Sequence, residues 1–314
     1  MAMWIAMAGS SFVGDYGGEA MAGQGEQLRS LLAREEPLLM PAAWDGISAR
    51  LLQDAGFEVI GVSGAAVSMA RLGLPDLGFL SMHDLVEVVR AIGQNTTAPI
   101  LADVDTGFGN TLSAIRTVRA VTHAGAAGIQ IEDQTFPKRC GHTAGKDVVS
   151  AEEYLSKLHA VVQERPDESL VVVARTDALA VEGVESAIDR ANRALETGAD
   201  VVMIEAIETV EQAERIGQEV PGHKLYNLAT GGRGPRLSAT ELYELGFNWV
   251  VMPGIAMAGM TAGVTRAARA ALHDGDDAYV AELGFTPYEF FELADLSEWR
   301  RLESQYPDRP RSDA

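Results

Sequence analysis

The chain has 314 residues, of which 47% are hydrophobic and 22% are charged, as in an ordinary globular protein. Its formal net charge is −20 and it has no lysine- or arginine-rich run, which argues against nucleic acid or an anionic membrane as a partner. A single cysteine excludes an internal disulfide and is typical of a reducing cytoplasm. The chain contains no run of about 18 apolar residues, so the sequence predicts no transmembrane helix. We therefore expect a cytoplasmic protein that binds neither nucleic acid nor membranes.

Composition divides the chain into three parts. Residues 1–25 are rich in Met, Gly and Ala and contain no lysine or arginine, so they lack the basic region of a secretory signal and are expected to form a flexible leader. Residues 26–283 are expected to form the catalytic domain. Residues 284–314 are predicted to form a C-terminal helical segment that ends in a frayed polar tail.

Eight short apolar runs predict β-strands. Most of them are continuously hydrophobic, as in parallel strands that are buried on both faces. In chain order, the predicted strands are Leu38–Trp44, Val59–Gly64, Pro99–Asp105, Gly128–Asp133, Leu170–Asp177, Val201–Ala206, Lys224–Ala229 and Trp249–Gly254.

Amphipathic segments between these runs predict helices that end at glycine, the residue favoured just beyond a helix C-terminus. They include Ser48–Ala55, Leu112–Ala124 and Val184–Thr197, and Tyr243–Leu245 is the end of a further one. Eight successive βα units predict a (β/α)8 TIM-type barrel. A doubly wound sheet is the alternative, but it requires a glycine-rich phosphate-binding turn after the first strand, which this chain lacks.

Polar side chains follow almost every predicted strand, at the ends where barrel enzymes place their chemistry. These residues are Asp45, Ser63, Asp103, Asp105, Glu132, Asp133, Arg175, Asp177, Glu205 and Asn227. Asp45 and Asp177 could instead be helix N-caps. Several carboxylates with a single arginine suggest a divalent cation that receives an anionic substrate, and Asp103, Asp105 and Glu132 are candidate Mg²⁺ ligands. The absence of histidine from these positions argues against zinc.

The only cysteine, Cys140, lies among Lys138, Arg139 and His142. Neighbouring positive charge stabilises a thiolate, so this pattern predicts a cysteine that acts as a base or nucleophile. The alternative is a buried cysteine that packs as a small hydrophobe. The polar, turn-forming neighbours of Cys140 favour the catalytic role.

Several segments together resemble the isocitrate lyase and phosphoenolpyruvate phosphonomutase superfamily. They are Val62–Gly64, Leu72–Gly78, Asp103–Gly109, Glu132–Gln134, Lys138–His142 and Ala174–Ala178. The most specific of them is the Lys-Arg-Cys-Gly-His loop that follows a strand ending in Glu-Asp-Gln. The resemblance implies an enzyme that depends on Mg²⁺, for which Mn²⁺ can substitute, and that acts on small anionic α-keto or 2-hydroxy acids.

The resemblance also implies roles for individual residues. Mg²⁺ would be held by Asp103, Asp105 and Glu132, and the loop Lys138–His142 would close over the substrate and deliver Cys140 as a general acid or base. The predicted catalytic residues are Lys138, Arg139, Cys140, His142 and Glu132. The predicted substrate-binding residues are Trp44, Ser63, Gly64, Ala65, Asp76, Gly141, Arg175, Glu205, Asn227 and Arg233.

Departures from the family pattern narrow the choice of reaction. Methylisocitrate lyases carry an arginine where this chain has Ala258 and a tyrosine where it has Gly61, and many relatives carry a glutamate where it has Thr230. These departures disfavour a methylisocitrate lyase, and we hypothesise that Arg233 replaces the missing arginine. The favoured function is a lyase that cleaves a substituted malate. A phosphonomutase acting on a pyruvate enolate and a non-catalytic binding protein on the same barrel are the alternatives.

The resemblance further implies a homotetramer, built as a dimer of dimers that exchange the last barrel helix. Residues Phe285–Gln305 are apolar enough to form that exchanged helix. The alternative is a terminal helix that packs on its own chain.

Overall fold

A computed structural model describes residues 23–141 and 145–306 of the chain. The predicted catalytic residue His142, almost all of the predicted leader and the last eight residues lie outside the described residues. Two compact units are present, one ending at Met257 and one comprising, among the described residues, those from Ala258 onward. The first unit contains the barrel.

Eight parallel strands form a closed barrel in sequence order, and the last strand pairs with the first. The strands are β1 (Leu38–Ala43), β2 (Ile60–Val62), β3 (Ile100–Asp103), β4 (Gly128–Glu132), β5 (Val171–Thr176), β6 (Val201–Ile204), β7 (His223–Asn227) and β8 (Trp249–Met252). Each lies within a predicted run or begins one residue before it, so the predicted (β/α)8 barrel is confirmed.

Helices alternate with the strands along the chain. They are α1 (Gln24–Leu32), α2 (Gly46–Asp54), α3 (Gly64–Val67), α4 (Met82–Gly93), α5 (Thr111–His123), α6 (Ala151–Gln163), α7 (Ala178–Val181), α8 (Val184–Glu196), α9 (Val210–Glu219), α10 (Ala239–Glu244) and α11 (Ile255–Asp274). A short π-helical turn, Ser68–Leu72, continues α3. No described helix is long and apolar enough to cross a membrane.

The barrel unit has two hydrophobic cores. One fills the space between the strands and the surrounding helices, and the other fills the barrel interior. Helix α1, which the sequence analysis did not assign, contributes Leu28 and Leu31 to the interior core. Its Arg29 donates to the Asp200 carboxylate at 2.8 Å and to the Ser169 carbonyl at 2.9 Å, which fixes α1 near the start of β5. Because one end of the interior is filled in this way, the free space lies at the other end.

The second unit is helical. Beyond α11 it contains α12 (Ala278–Glu282), α13 (Pro287–Glu292) and α14 (Leu296–Gln305). The prediction of one helix over Phe285–Gln305 is therefore wrong in detail. Thr286 caps α13, and Asp295 has a left-handed backbone with φ of 59°, a conformation that interrupts a helix and that Asp tolerates better than most residues.

Candidate active site

A cavity of about 120 Å³ lies at the carboxyl ends of the barrel strands. It brings together most of the predicted site residues, namely Ser63, Ala65, Asp76, Asp103, Lys138, Cys140, Gly141, Arg175, Glu205 and Asn227. Its walls also include Gly61 and Gln130 from β2 and β4. Residues far apart in sequence thus converge on one small chamber, in which charged groups face a partly apolar wall.

One side of this chamber, which we call the acidic side, comprises Asp76, Asp103, Asp105, Glu132 and Lys138. The Lys138 ammonium lies 2.7 Å from Asp76 Oδ1 and 2.9 Å from Asp105 Oδ1, and all three side chains are largely buried. Asp103 Oδ1 accepts a hydrogen bond of 3.2 Å from the Asp105 backbone N–H. One cation is therefore shared between two carboxylates at the end of β3.

The titration of the acidic side reflects this excess of carboxylates. Burial raises the pKa of Asp105 to about 7, although Lys138 opposes the shift. Burial also raises the pKa of Glu132 well above its ordinary value, against the opposing effect of Arg175. Burial alone would lower the pKa of Lys138, but the surrounding carboxylates, Asp105 first, raise it overall, so Lys138 is a fixed cation.

The opposite side, which we call the basic side, comprises Gly141, Lys146, Arg175 and Asp177. Arg175 Nε donates to Asp177 Oδ2 at 2.9 Å and its Nη2 donates to Oδ1 at 3.2 Å. Lys146 Nζ donates to Asp177 Oδ1 at 2.7 Å and to the Gly141 carbonyl at 2.6 Å. Burial would raise the pKa of Asp177, but Arg175 and Lys146 lower it overall. Two cations here share one fully ionised carboxylate.

The role found for Asp177 corrects the N-cap interpretation. Although it precedes α7, its side chain caps no backbone N–H and binds the two cations instead. Asp45, by contrast, is a true N-cap, since its carboxylate accepts a 2.7 Å hydrogen bond from Ser48 N–H at the start of α2. Asp133 is also structural. Its carboxylate accepts hydrogen bonds from Thr176 Oγ1 (2.6 Å) and Arg190 (3.1 Å) behind the strand ends.

Cys140 lies between the two sides. It lines the cavity, is partly exposed and forms no disulfide, and its backbone N–H donates to the Asp76 carbonyl at 3.2 Å. Gln134 exchanges two hydrogen bonds with the backbone of Arg139, which ties the preceding turn to β4. Lys138 and Gly141, on either side of Cys140, also line the cavity. The cysteine thus sits on a segment that is fixed at one end by the ion pairs of Lys138 and at the other by the hydrogen bond from Lys146 to the Gly141 carbonyl.

Two glycines allow the backbone to approach charged groups closely. A Cβ atom at Gly141 would lie 2.5 Å from Glu205 Oε1 and 2.6 Å from Arg175 Nη2, so no larger residue fits there without displacement. A Cβ at Gly64 would lie 3.3 Å from Asp105 Oδ1 and 3.8 Å from Asp103 Oδ2. Both glycines, predicted as substrate-binding residues, thus bring the backbone close to the charged groups.

Glu205 and Asn227 form a buried pair on the wall next to the basic side. Asn227 Nδ2 lies 3.2 Å from each carboxylate oxygen of Glu205. The amide group therefore orients the carboxylate, and the Asn227 Oδ1 atom is buried and accepts no hydrogen bond within the described part of the chain. An unsatisfied acceptor in a cavity wall is suited to a ligand that donates a hydrogen bond.

Six of the described predicted site residues do not line the cavity. Gly64, Asp105 and Glu132 lie directly behind residues that do. Trp44, Arg139 and Arg233 lie elsewhere. Trp44 lines a separate hollow with Asp45, because β1 ends at Ala43 and the chain turns into the cap of α2. Arg139 is exposed, because its neighbours Lys138 and Cys140 face inward and the residue between them faces out. Arg233 has a side chain that is 73% exposed and pairs with Glu208.

Arg233 nevertheless lines a second cavity of about 260 Å³ that adjoins the first. The two cavities share Gly141, Glu205 and Asn227 as lining residues. Apolar side chains such as Ile207 and Tyr226 form much of its wall. The structure thus places Arg233 beside the site and not within it.

The sequence analysis missed two lysines. Lys146 follows the predicted loop and was given no role, although it is the second lysine of the same segment. Lys157 in α6 donates to the carbonyl oxygens of Thr106 (3.0 Å) and Gly109 (3.3 Å), which holds the turn after β3. A signal for Lys157 exists, since it is spaced three residues from Tyr154 and four from Val161 on the buried face of the helix.

The acidic side fits a divalent cation of the magnesium type. Among the described residues, no three His, Cys, Asp or Glu side chains are already gathered as a metal cluster. Mg²⁺, however, needs only one or two carboxylates beside waters and substrate oxygens. Both carboxylate oxygens of the buried Glu132 accept no hydrogen bond from the described residues, and Arg175 Nε lies 3.3 Å from Oε2. Unsatisfied carboxylate oxygens beside Asp103 and Asp105 are what such an ion would coordinate.

Comparison with known proteins identifies the family. The family model for phosphoenolpyruvate phosphomutase matches residues 28–272. The chain belongs to this family, within the PEP mutase/isocitrate lyase superfamily. The predicted resemblance is therefore confirmed.

Several similar proteins are lyases by name. The chain is 36% identical to 2,3-dimethylmalate lyase of Eubacterium barkeri, over 89% of this chain and 97% of that protein. It is 42% identical to a probable 2-methylisocitrate lyase 2 of Corynebacterium glutamicum, over 72% and 73%. A solved structure of phosphonopyruvate hydrolase in complex with oxalate and Mg²⁺ superimposes with a TM-score of 0.81 at 29% identity, covering 90% of this chain and 99% of that one. The prediction of an enzyme of the lyase type is confirmed.

Proposed function

We propose that the protein is a Mg²⁺-dependent lyase that cleaves the C2–C3 bond of a 2-hydroxy acid of the substituted malate type. The products are an α-keto acid and a second carboxylate. One observation carries the proposal: Cys140 lines the cavity between a carboxylate cluster short of positive charge and an arginine whose own counter-ion is shared with a lysine. The similarity to 2,3-dimethylmalate lyase over almost the whole of both chains supports it.

The acidic side would hold the metal. Asp103, Asp105 and Glu132 would be its direct or water-mediated ligands, and Mn²⁺ would be able to substitute. When bound, the ion supplies Lewis acidity that stabilises negative charge on the oxygens of the α-keto acid product. Lys138, held between Asp76 and Asp105, keeps those carboxylates apart from one another and remains protonated.

The basic side would bind the substrate carboxylate. Arg175 is buried, and although burial lowers the pKa of its guanidinium, Asp177 and Glu132 raise it overall, so the group stays charged. A planar guanidinium can donate two parallel hydrogen bonds to a carboxylate. Ser63 and the first turn of α3 face the same cavity and would complete the binding of the α-keto acid half.

Cys140 would act on the other half. The C2 hydroxyl gives its proton to a carboxylate of the acidic side and becomes the carbonyl of the α-keto acid. The C2–C3 bond breaks, its electron pair moves to C3, and the Cys140 thiol gives its proton to that carbon, which leaves Cys140 as a thiolate. Gly141 and Asn227 line the wall beside the thiol and would hold the departing carboxylate. Preorganised charge around the thiol stabilises such an anion at little reorganisation cost.

A phosphonomutase is the second candidate, because the family model that matches is that of a phosphomutase. The same acidic side and Arg175 would hold a pyruvate enolate while a phosphorus group moves to carbon. The two reactions differ in their substrate but share the enolate-binding half of the site.

The proposed function is tested by a Mg²⁺-dependent screen for α-keto acid release. The panel would contain 2-alkylmalates, 2,3-dimethylmalate, 2-methylisocitrate and oxaloacetate. We expect release from at least one substituted malate, and a loss of more than about 10³-fold in the Cys140→Ser variant with oxalate binding retained, because the step that needs the proton donor is lost while the binding groups remain. If the wild type released no α-keto acid from any compound of the panel but still bound Mg²⁺ and oxalate, the lyase would be rejected in favour of the mutase.

We further propose a cytoplasmic homotetramer in which the helices of the second unit pack between subunits. The support is the apolar surface of this unit, where Leu272 is 88% exposed and Phe291 is 61% exposed. Such side chains are unusual on a free surface when they cluster. Light scattering of the wild type should give the mass of four chains, and Phe291→Glu should give a smaller species. A monomeric wild type would contradict the proposal.

A further inference from the structure

Lys146 occupies a distinctive position on the basic side. Its ammonium contacts Asp177, which accepts two hydrogen bonds from Arg175. It also contacts the backbone carbonyl of Gly141, next to Cys140. The side chains of Lys146, Asp177 and Arg175 are 4%, 0% and 8% exposed. Water therefore screens their interactions poorly, and the balance of charge among them has a large effect.

That balance decides whether Arg175 can serve a substrate. Arg175 faces Asp177 at 2.9 Å and Glu132 at 3.3 Å. With Asp177 as its sole counter-ion, the pair would carry no net charge, and an incoming carboxylate would also meet the carboxyl groups of Glu132 and Glu205 beside Arg175. With Lys146 at 2.7 Å from the same Asp177 oxygen, the three groups carry one net positive charge. The lysine therefore leaves the guanidinium available to a second carboxylate.

The same ammonium fixes the backbone that carries the thiol. Its second hydrogen bond, of 2.6 Å, goes to the carbonyl of Gly141, next to Cys140. Gly141 lies so close to Arg175 and Glu205 that a Cβ would collide with both. A single group thus sets the charge around Arg175 and the distance of the Cys140–Gly141 segment from it.

We infer that Lys146 is a positioning residue that keeps Arg175 free for the substrate carboxylate by sharing Asp177 with it. The inference rests on the proposed function, in which Arg175 binds that carboxylate. Lys146 itself is assigned no contact with the substrate and no proton transfer.

The first test is oxalate binding, measured by calorimetry at saturating Mg²⁺. We expect Lys146→Met to weaken binding at least tenfold, and Lys146→Gln, which keeps a donor for the Gly141 carbonyl but removes the charge, to weaken it almost as much. Lys146→Arg should restore most of the affinity. With substrate, KM should rise more than kcat falls, because the defect is in binding.

Lys224→Met is the matched control. Lys224 is also a buried lysine that donates to two backbone carbonyls, those of Val220 (2.7 Å) and Gly222 (3.1 Å), but it lies at the start of β7, away from the site. Its variant should bind oxalate as the wild type does. Wild-type affinity in both Lys146→Met and Lys146→Gln would overturn the inference.

A second test needs no ligand and separates this inference from the proposed function. In a urea-unfolding cycle, Lys146→Met and Arg175→Met each leave Asp177 one cation, whereas the double variant leaves a buried bare carboxylate. We expect the double variant to lose more in its urea midpoint than the two single variants together. Strictly additive midpoints would overturn the inference. If wild type failed to bind oxalate at all, the proposed function would fail, and this cycle would still decide whether Asp177 is shared.

Discussion

The two sides of the barrel mouth manage charge in opposite ways. On the acidic side, Lys138 is the one cation placed between Asp76 and Asp105, and burial raises the pKa of Asp105 to about 7. On the basic side, Asp177 is the one carboxylate placed between Lys146 and Arg175, and its pKa is lowered. The first side lacks positive charge and the second has one positive charge to spare.

This contrast indicates where stability and function are in conflict. Carboxylates that are buried without enough cations destabilise the folded chain, and they are retained where a ligand supplies the missing charge. A carboxylate that is paired with two cations needs no ligand to balance its charge. The acidic side is therefore built for a cation that comes from outside, and the basic side is built for an anion.

The largest expected effect is on stability in the absence of metal. Asp177→Asn leaves two buried cations without their counter-ion, and we expect it to lower the free energy of unfolding by about 3 kcal/mol. Asp105→Asn removes a carboxylate whose pKa is already near neutrality, and Lys138 keeps Asp76, so we expect no loss or a small gain. Thermal unfolding in EDTA compares the two variants.

These two substitutions are matched, since each replaces a buried aspartate by its neutral isostere. The melting temperature should fall by about 6 °C or more for Asp177→Asn only. Equal destabilisation of the two variants would mean that the sides do not differ in their charge balance.

A smaller effect is expected from added Mg²⁺. An ion that binds only the folded state at 100 times its dissociation constant stabilises it by about 2.7 kcal/mol. We expect wild type to gain thermal stability with Mg²⁺, Asp105→Asn to lose this gain, and Arg175→Met to keep it, because Arg175 belongs to the basic side. A gain that persisted in Asp105→Asn would place the ion elsewhere.

The barrel could be predicted from the sequence because its strands are buried on both faces and therefore read as continuous apolar runs. The site residues could be predicted because a polar residue stands at the end of almost every run, as Asp103 and Glu132 do. Side-chain direction was harder to predict. Arg139 was assigned to the site with its neighbours, yet it points away from the cavity, because adjacent residues of an extended segment face opposite ways.

The function of Asp177 was missed for a related reason. An aspartate before a helix has the pattern of an N-cap, and only the alternation of side chains shows that it lies on the same face as Arg175, two residues earlier. The end of β1 was also difficult. The apolar run predicted a strand that continues to Trp44. The capping box at Asp45 and Ser48 instead turns the chain outward, so Trp44 does not face the barrel interior.

The smallest predicted effect concerns Lys157, which supports the acidic side from behind. The turn that it holds follows Asp105, whose own φ of 49° is a left-handed conformation that the surroundings must maintain. Lys157→Met keeps the apolar stem of the side chain but leaves the carbonyls of Thr106 and Gly109 without this donor, at a cost of about 1 kcal/mol in the placement of the turn. We therefore expect Mg²⁺ affinity, measured by calorimetry, to fall about fivefold while oxalate binding at saturating Mg²⁺ stays unchanged. If Lys157→Met lowered Mg²⁺ affinity no more than Lys224→Met does, the orientation of Asp105 would have to come from Lys138 and the strand alone.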